Sequence, residues 1–184
     1  MENKTLEQEK IATLASLQAL LKPHSIAVIG ASRRCATIGN RLFHNLLHQE
    51  FNGVVYPVNP NAEAVASVKT VPSVLDIAGE VNLAIVITPA DTVNHVIEEC
   101  GRKGVQGIVV ISAGFGESGA EGQNRQGAIL ETCGRYGMRL VGPNCMGIIN
   151  ADPEVNMNAT FSPVFPRFGN VALGTRVVLW GLPF

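Results

Sequence analysis

Charge imbalance is missing from this chain: 14 Lys and Arg stand against 15 Asp and Glu, a formal net charge of −1. A near-neutral protein has no field that would draw it to a nucleic-acid backbone or an anionic membrane, so neither is expected as a partner. Long hydrophobic runs are also absent, and none reaches the roughly 18–20 residues that a membrane span needs. The opening MENKTLEQEK is polar and mixed in charge, without the basic start and apolar stretch of a secretion signal. A soluble, cytoplasmic protein is the expectation. Cysteine is sparse: Cys35, Cys100, Cys133 and Cys145 lie far apart with no C-x-x-C, which argues against a disulfide scaffold and a zinc site. Asn158-Ala159-Thr160 spells a glycosylation acceptor, but without a secretion signal the match carries no weight.

What is present is apolar residue in ordered blocks. At 46% hydrophobic the 184 residues can build one core, and that length suits one domain with an appendage. Ile11, Leu14, Leu17, Leu20 and Leu21 recur at helical spacing until Lys22-Pro23 ends the pattern, predicting an N-terminal helical appendage over residues 1–22. Beyond it, β-branched runs at Ser25–Gly30, Gly53–Val58, Val81–Thr88, Gly107–Ser112 and Met138–Gly142 alternate with helical patterns at Ile38–Gln49, Thr92–Arg102 and Ala120–Tyr136. Several runs are apolar almost throughout, as strands covered on both faces must be. Repeated strand–helix–strand order predicts an α/β fold, a Rossmann-like, doubly wound parallel sheet.

Ligands of such sheets bind at the carboxyl ends of the strands, near the switch point. Those ends carry Gly30-Ala31-Ser32, Asn59-Pro60-Asn61, Thr88-Pro89-Ala90, Ser112-Ala113-Gly114 and Gly142-Pro143-Asn144-Cys145, all small, polar or turn-forming. Parallel strands end on one side, so these turns converge on one edge. In the first turn Gly30 permits a tight bend, and Gly39 lies where the chain enters a helix whose N-terminal amides can hold phosphate. The dinucleotide spacing G-x-G-x-x-G is not met, because Ser32 stands where the second glycine belongs. A dinucleotide site also places an acid about 20 residues on, at the tip of the second strand; here that strand ends in Val58-Asn59-Pro60. Arg33 and Arg34 lie inside the loop, and guanidinium groups grip phosphate oxygens in forked pairs. Surface arginines with no ligand remain the plainer reading of that pair. The residues by themselves point to a phosphorylated ligand that is not a simple dinucleotide.

The segments SIAVIGAS, IGNRLFHNLL, VYPVNP, VPSVLDI, VNLAIVITPA, GIVVISAGFGE and GMRLVGPNCMGIIN, in that order, resemble the coenzyme A-binding domain of NDP-forming acyl-CoA synthetases. The same domain opens the alpha subunit of succinyl-CoA synthetase, and the likeness extends to fusions of synthetase modules with an acetyltransferase. It covers about Pro23 to Leu173. It implies coenzyme A or acyl-CoA as the ligand, and the remaining synthetase domains or subunit as partner. Gly30, Ser32, Ile38 and Gly39 correspond to the loop gripping the nucleotide end of CoA. Thr88 and Pro89 match the turn lining the CoA groove, and Ile111, Ser112 and Ala113 the fourth strand's contact with the cofactor. Gly142-Pro143-Asn144-Cys145 matches a turn near the thioester end, which makes Asn144 a candidate. Many relatives have lysine where this chain has Asn61, so that phosphate contact passes to Arg33 or Arg34.

The resemblance implies a ligand-binding domain over residues 23–163 and the start of a second domain over 164–184. Its parent would be an enzyme, an acid–thiol ligase or an acetyltransferase fusion. This stretch would bind without turnover, since none of His24, His44, His48 and His95 sits in a segment like the phosphohistidine loop. His44 and His48 share a helix face, but no third ligand accompanies them and they read as surface residues. Cys145, with no histidine near it in sequence, reads as a small buried residue. Two other functions stay open: an oxidoreductase fragment binding NAD(P), and a stand-alone CoA-binding or sensing protein. After Leu173 the family continues Ser-Gln-Ser-Gly-Ala-Leu-Gly, whereas this chain reads GTRVVLWGLPF. Codons for Thr175–Phe184 can be chosen so that a shifted frame spells that motif. Residues 174–184 therefore read as a frameshifted end, an apolar tail without its sheet.

Overall fold

Every residue of Ser25–Ile29 is buried in the computed structural model, which describes residues 14–174. This strand, β1, is central because its side chains have apolar partners on both faces. It pairs in parallel with β2 (Val54–Val58) on one side and β5 (Leu83–Val86) on the other. Beyond β5 lie β6 (Gly107–Val110) and β7 (Arg139–Val141), also parallel. The order β2-β1-β5-β6-β7 reverses between β1 and β5, the switch point of a doubly wound sheet. Two short antiparallel pairs stand apart: β3 (Ala64–Val65) with β4 (Val68–Lys69), and β8 (Gly147–Asn150) with β9 (Met157–Thr160).

The period of two along β1 divides the core. Ala27 and Ile29 point to a layer with Val86, Ile108 and Val110, capped by Val93 and Ile97 of helix α3 (Ala90–Lys103) and Ile129 of helix α4 (Ala120–Tyr136). Ile26 and Val28 point the other way, onto Leu42, Phe43 and Leu46 of helix α2 (Ile38–His48). On that second face the β8–β9 hairpin lies beside α2 and contributes Met157 and Ala159. Asn45 of α2 ties the hairpin down, its amide donating to the carbonyls of Thr160 (2.8 Å) and Ser162 (2.7 Å).

The predicted five strands and three crossover helices are present, each within a few residues of its expected bounds. The small pairs β3–β4 and β8–β9 were not expected. The first is too short for a periodic signal, and the second is half polar. The N-terminal helix, α1, over residues 14–21 is present too, but it turns a different side inward. Ser16, Ala19 and Leu20 are buried, while Leu14, Leu17 and Leu21 are exposed. Arg139 fixes that rotation by donating from Nε to Ser16 Oγ (3.1 Å), and Leu20 packs over Gly107. Ile11 and the tail residues 175–184 lie outside the described residues.

Candidate functional site

The carboxyl ends of the five parallel strands form one edge, and hydrogen bonds join neighbouring ends. At the switch point Gly30 adopts a φ of +97°, a left-handed conformation that glycine takes without a Cβ penalty. A Cβ there would also come within 2.7 Å of the Ile87 carbonyl oxygen. The loop that follows is held by its own polar atoms. Ser32 Oγ accepts from the Arg34 N–H (3.1 Å), and the Asn40 amide donates to the Ser32 carbonyl (2.8 Å). Thr37 caps α2 by accepting from the Asn40 N–H (3.3 Å), so the helix N-terminus opens onto the loop. Arg33 and Arg34 are exposed on this loop, with no ion pair among the described residues. Ile38 behaves differently from its neighbours: it packs against the core on the α2 face.

At the tip of β2, where a dinucleotide site would hold an acid, Asn59 donates its amide to the Ala31 carbonyl (2.6 Å). Its own side-chain oxygen accepts from the Asn61 N–H (2.8 Å). The pair clamps the first two strand ends together and leaves the Asn61 side chain at the exposed rim. Asn40 and Asn59 carry out structural work that residue type alone does not reveal. The available signal was position, an asparagine at a helix start and another at a strand end.

On the other side of the switch point, the ends of β5, β6 and β7 are joined through Ser112. Its hydroxyl donates to the Thr88 carbonyl (2.5 Å), and its carbonyl accepts from the Asn144 N–H (3.0 Å). Asn144 sits at a φ of +54° just after a cis Gly142–Pro143 bond. Thr88 Oγ1 is buried with no hydrogen-bond partner among the described residues. A buried hydroxyl left unpaired costs about 1–3 kcal/mol, and this one lies on the strand-end edge. Pro89 is exposed at the start of α3, Ile111 is buried beneath the edge, and Ala113 is exposed beside Ser112. Thus Gly30, Ser32 and Gly39 gather on one side of the switch point, and Thr88, Ser112, Ala113 and Asn144 on the other.

The loop after β6 contains a carboxylate that the sequence did not single out. Glu117 Oε1 accepts from the N–H groups of Gly114 (2.7 Å) and Phe115 (3.2 Å). Partial burial pushes this carboxyl up, but the N–H groups of Gly114, Glu117 itself and Phe115 outweigh that and hold it below its ordinary value. Cys145 donates weakly to the Val110 carbonyl (3.3 Å), and burial raises its thiol above the ordinary range despite hydrogen bonds from the Gly147 and Cys145 N–H groups. A neutral, bonded thiol is a poor nucleophile. Among the described residues no His, Cys, Asp and Glu cluster could hold a metal, and no helix is long and apolar enough to cross a membrane.

Fold and edge together define a class: a Rossmann-like domain with a phosphate-friendly loop at the switch point and no acid for a dinucleotide ribose. The chain belongs to the CoA-binding domain family, whose model matches residues 24–151; coenzyme A or its acyl thioester is the ligand class. It is 47% identical over 156 residues to the alpha subunit of an ADP-forming acetate–CoA ligase of Pyrococcus furiosus, covering 85% of this chain and 33% of that one. It is 40% identical to an ADP-forming 4-hydroxybutyrate–CoA ligase of Nitrosopumilus maritimus, over 84% of this chain and 22% of the relative. Among solved structures, an acetyl-coenzyme A synthetase of Candidatus Korarchaeum cryptofilum in complex with phosphate and ADP superposes with a TM-score of 0.75 at 39% identity. That match covers 81% of this chain and 31% of the other. The chain therefore spans about a third or less of the length of these relatives.

Proposed function

We propose that this chain is the CoA-binding module of an NDP-forming acyl-CoA synthetase, and that CoA lies along the strand-end edge. The nucleotide end rests on the Gly30–Gly39 loop, where Arg33, Arg34 and the α2 amides receive phosphate. The pantetheine arm passes Thr88, Pro89, Ser112 and Ala113, over buried Ile111, toward Asn144. The observation that carries this reading is the convergence on one edge of the Gly30–Gly39 loop, with its exposed arginines at the start of α2, and the strand ends joined through Ser112. Residues 23–163 act as the binding domain, residues 1–22 as an appendage, and the stretch from 164 leads toward a second domain. The partner is the remainder of the synthetase, as further domains or as a separate subunit, and the setting is cytoplasmic. Relatives named for acetate and for 4-hydroxybutyrate share this segment at similar identity, which supports selection of the acyl group elsewhere.

A nicotinamide cofactor is the competing ligand. Against it stand Ser32 in place of a glycine, and an amide at Asn59 already committed to Ala31. Thermal denaturation with CoA, acetyl-CoA and NADH added separately decides between them. A ligand at 100 times its dissociation constant stabilises by about 2.7 kcal/mol. CoA or acetyl-CoA should raise the midpoint while NADH leaves it unchanged; the reverse pattern overturns the proposal.

A further inference from the structure

The outer face of α2 carries two side chains that the strand-end edge does not use. An α-helix turns by about 100° per residue, so Leu42, Phe43 and Leu46, all fully buried, set one side of α2 against the sheet. His44 and His48 fall on the opposite side, one turn apart. Their ring centres lie 6.3 Å apart, with the planes inclined by 33°. His44 is half-buried and His48 exposed. Neither side chain makes a hydrogen bond or ion pair among the described residues, so the ring nitrogens are uncommitted.

The helix that presents them is firmly placed. Its inner side is core, Thr37 caps its start, and Asn45 binds the carbonyls of Thr160 and Ser162. With the backbone held, only side-chain torsions have to move for the two rings to meet one ion. Two imidazole nitrogens sharing an ion at about 2.0–2.1 Å each, in tetrahedral directions, set their ring centres roughly 5 Å apart. Reaching that from 6.3 Å takes a small turn of each side chain. His48 is also the last residue of α2, where the negative end of the helix dipole favours a cation. Arg41, one turn before His44, opposes that charge and Glu50, just past His48, favours it. Both are exposed, and solvent screens both.

We infer that His44 and His48 form a two-imidazole chelate for a divalent transition ion of the nickel, zinc and copper class. The described residues hold no group of three or more metal-ligating side chains, so water completes the coordination and the ion exchanges readily. Imidazole nitrogen suits these metals, whereas magnesium and calcium prefer oxygen. His95 also has a neighbour one turn along its helix, but that neighbour is Glu99 (3.7 Å), which leaves a single imidazole. An ion held by two side chains one turn apart resists unwinding of that turn, so it stabilises the folded chain. The pair lies at the opposite end of α2 from the Gly30–Gly39 loop, so ion and CoA bind independently.

Calorimetric titration of the full chain with nickel chloride tests this, with magnesium chloride as the comparison. Nickel should bind saturably at a single site and raise the thermal midpoint, and magnesium should do neither. His44→Ala and His48→Ala should each abolish the saturable step. His95→Ala should keep it, and so should Cys35→Ser, which removes the exposed thiol as a rival ligand. Without metal, both histidine variants should melt within about 2 °C of wild type, because they alter the outer face alone. Their CoA affinity should equal that of wild type, and a loss there overturns the separation of the two sites. A wild-type chain with no saturable nickel binding overturns the chelate. So does binding that survives either histidine variant, or that disappears with His95→Ala or Cys35→Ser.

Discussion

Gly39 lies so close to Gly30 that a Cβ on Gly39 would overlap the Gly30 carbonyl oxygen. The first turn of α2 is thus pressed directly against the end of β1, which is what points its free N–H groups at the edge of the sheet. Neither the oxygen nor the helix can yield, since both belong to backbone that is fixed by pairing and capping.

Replacing Gly39 with alanine should therefore cost on the order of 3 kcal/mol, or roughly 6–12 °C in melting temperature for a domain of this size. It should lower CoA affinity as well, because the loop must shift. Gly127 supplies the control: it is exposed on α4 with nothing near its missing Cβ. Gly127→Ala should add about 0.5–1 kcal/mol of stability. A Gly39→Ala protein that melts like wild type would refute this close packing.

Arg33 and Arg34 are expected to bind phosphate and not the pantetheine arm. With both changed to alanine, CoA should bind at least tenfold more weakly, while pantetheine, which has no phosphate, should be unaffected. The loss for CoA should shrink at high salt, since exposed charges are screened. Titration of both ligands at two salt concentrations checks it. Equal weakening of CoA and pantetheine would assign the arginines to loop structure.

Glu117 should make the loop after β6 sensitive to acid. Its carboxyl titrates below the ordinary value in the folded protein, so the folded state binds its proton less readily than the unfolded chain does. The stability it contributes is present above the unfolded value of about 4.3 and is lost as pH falls through the folded one. Glu117→Ala should lower the melting temperature at pH 7 by a few degrees. The difference from wild type should narrow below about pH 4. A mutant gap that is constant from neutral pH to pH 3 would show that the charge is not what holds Gly114 and Phe115.

The cysteines should react in the order of their burial. Cys35 is exposed in the loop between the arginines and the start of α2. Cys100 and Cys133 are buried, and desolvation raises both thiols, Cys133 to about 11. A thiol-specific reagent should label Cys35 within minutes in the native protein and Cys145 slowly. The two buried residues should react only on unfolding. Bound CoA should slow Cys35, because the proposed binding path lays its phosphates over that loop, and mass spectrometry of the labelled peptides reads this directly. Unchanged Cys35 labelling with CoA saturating would move the ligand off the loop.

The order of strands and helices followed from sequence alone, because strands buried on both faces read as near-continuous apolar runs, and here these alternate with amphipathic helices. Ser25–Ile29, Leu83–Val86 and Gly107–Val110 are apolar in near-continuous runs, and between them stand amphipathic helices of the right length. The chemistry of the edge was legible for a related reason: turn residues at parallel strand ends must meet on one side. Gly30, Thr88, Ser112 and Asn144 could be named from position alone. Sequence did not reveal which side chains would be consumed in holding that edge together. Asn59 could equally have faced a ligand, and only its 2.6 Å bond to Ala31 shows that it faces inward. Thr88 and Ser112 are two similar hydroxyls, yet the fold satisfies one and leaves the other unpaired. The β3–β4 hairpin escaped entirely, because two-residue strands carry no period. Local pattern determines which segments pair and which end of the sheet is polar. Whether a given polar atom there is satisfied by the chain or left for a ligand depends on distances across segments far apart in sequence, and those are set only when the layers pack.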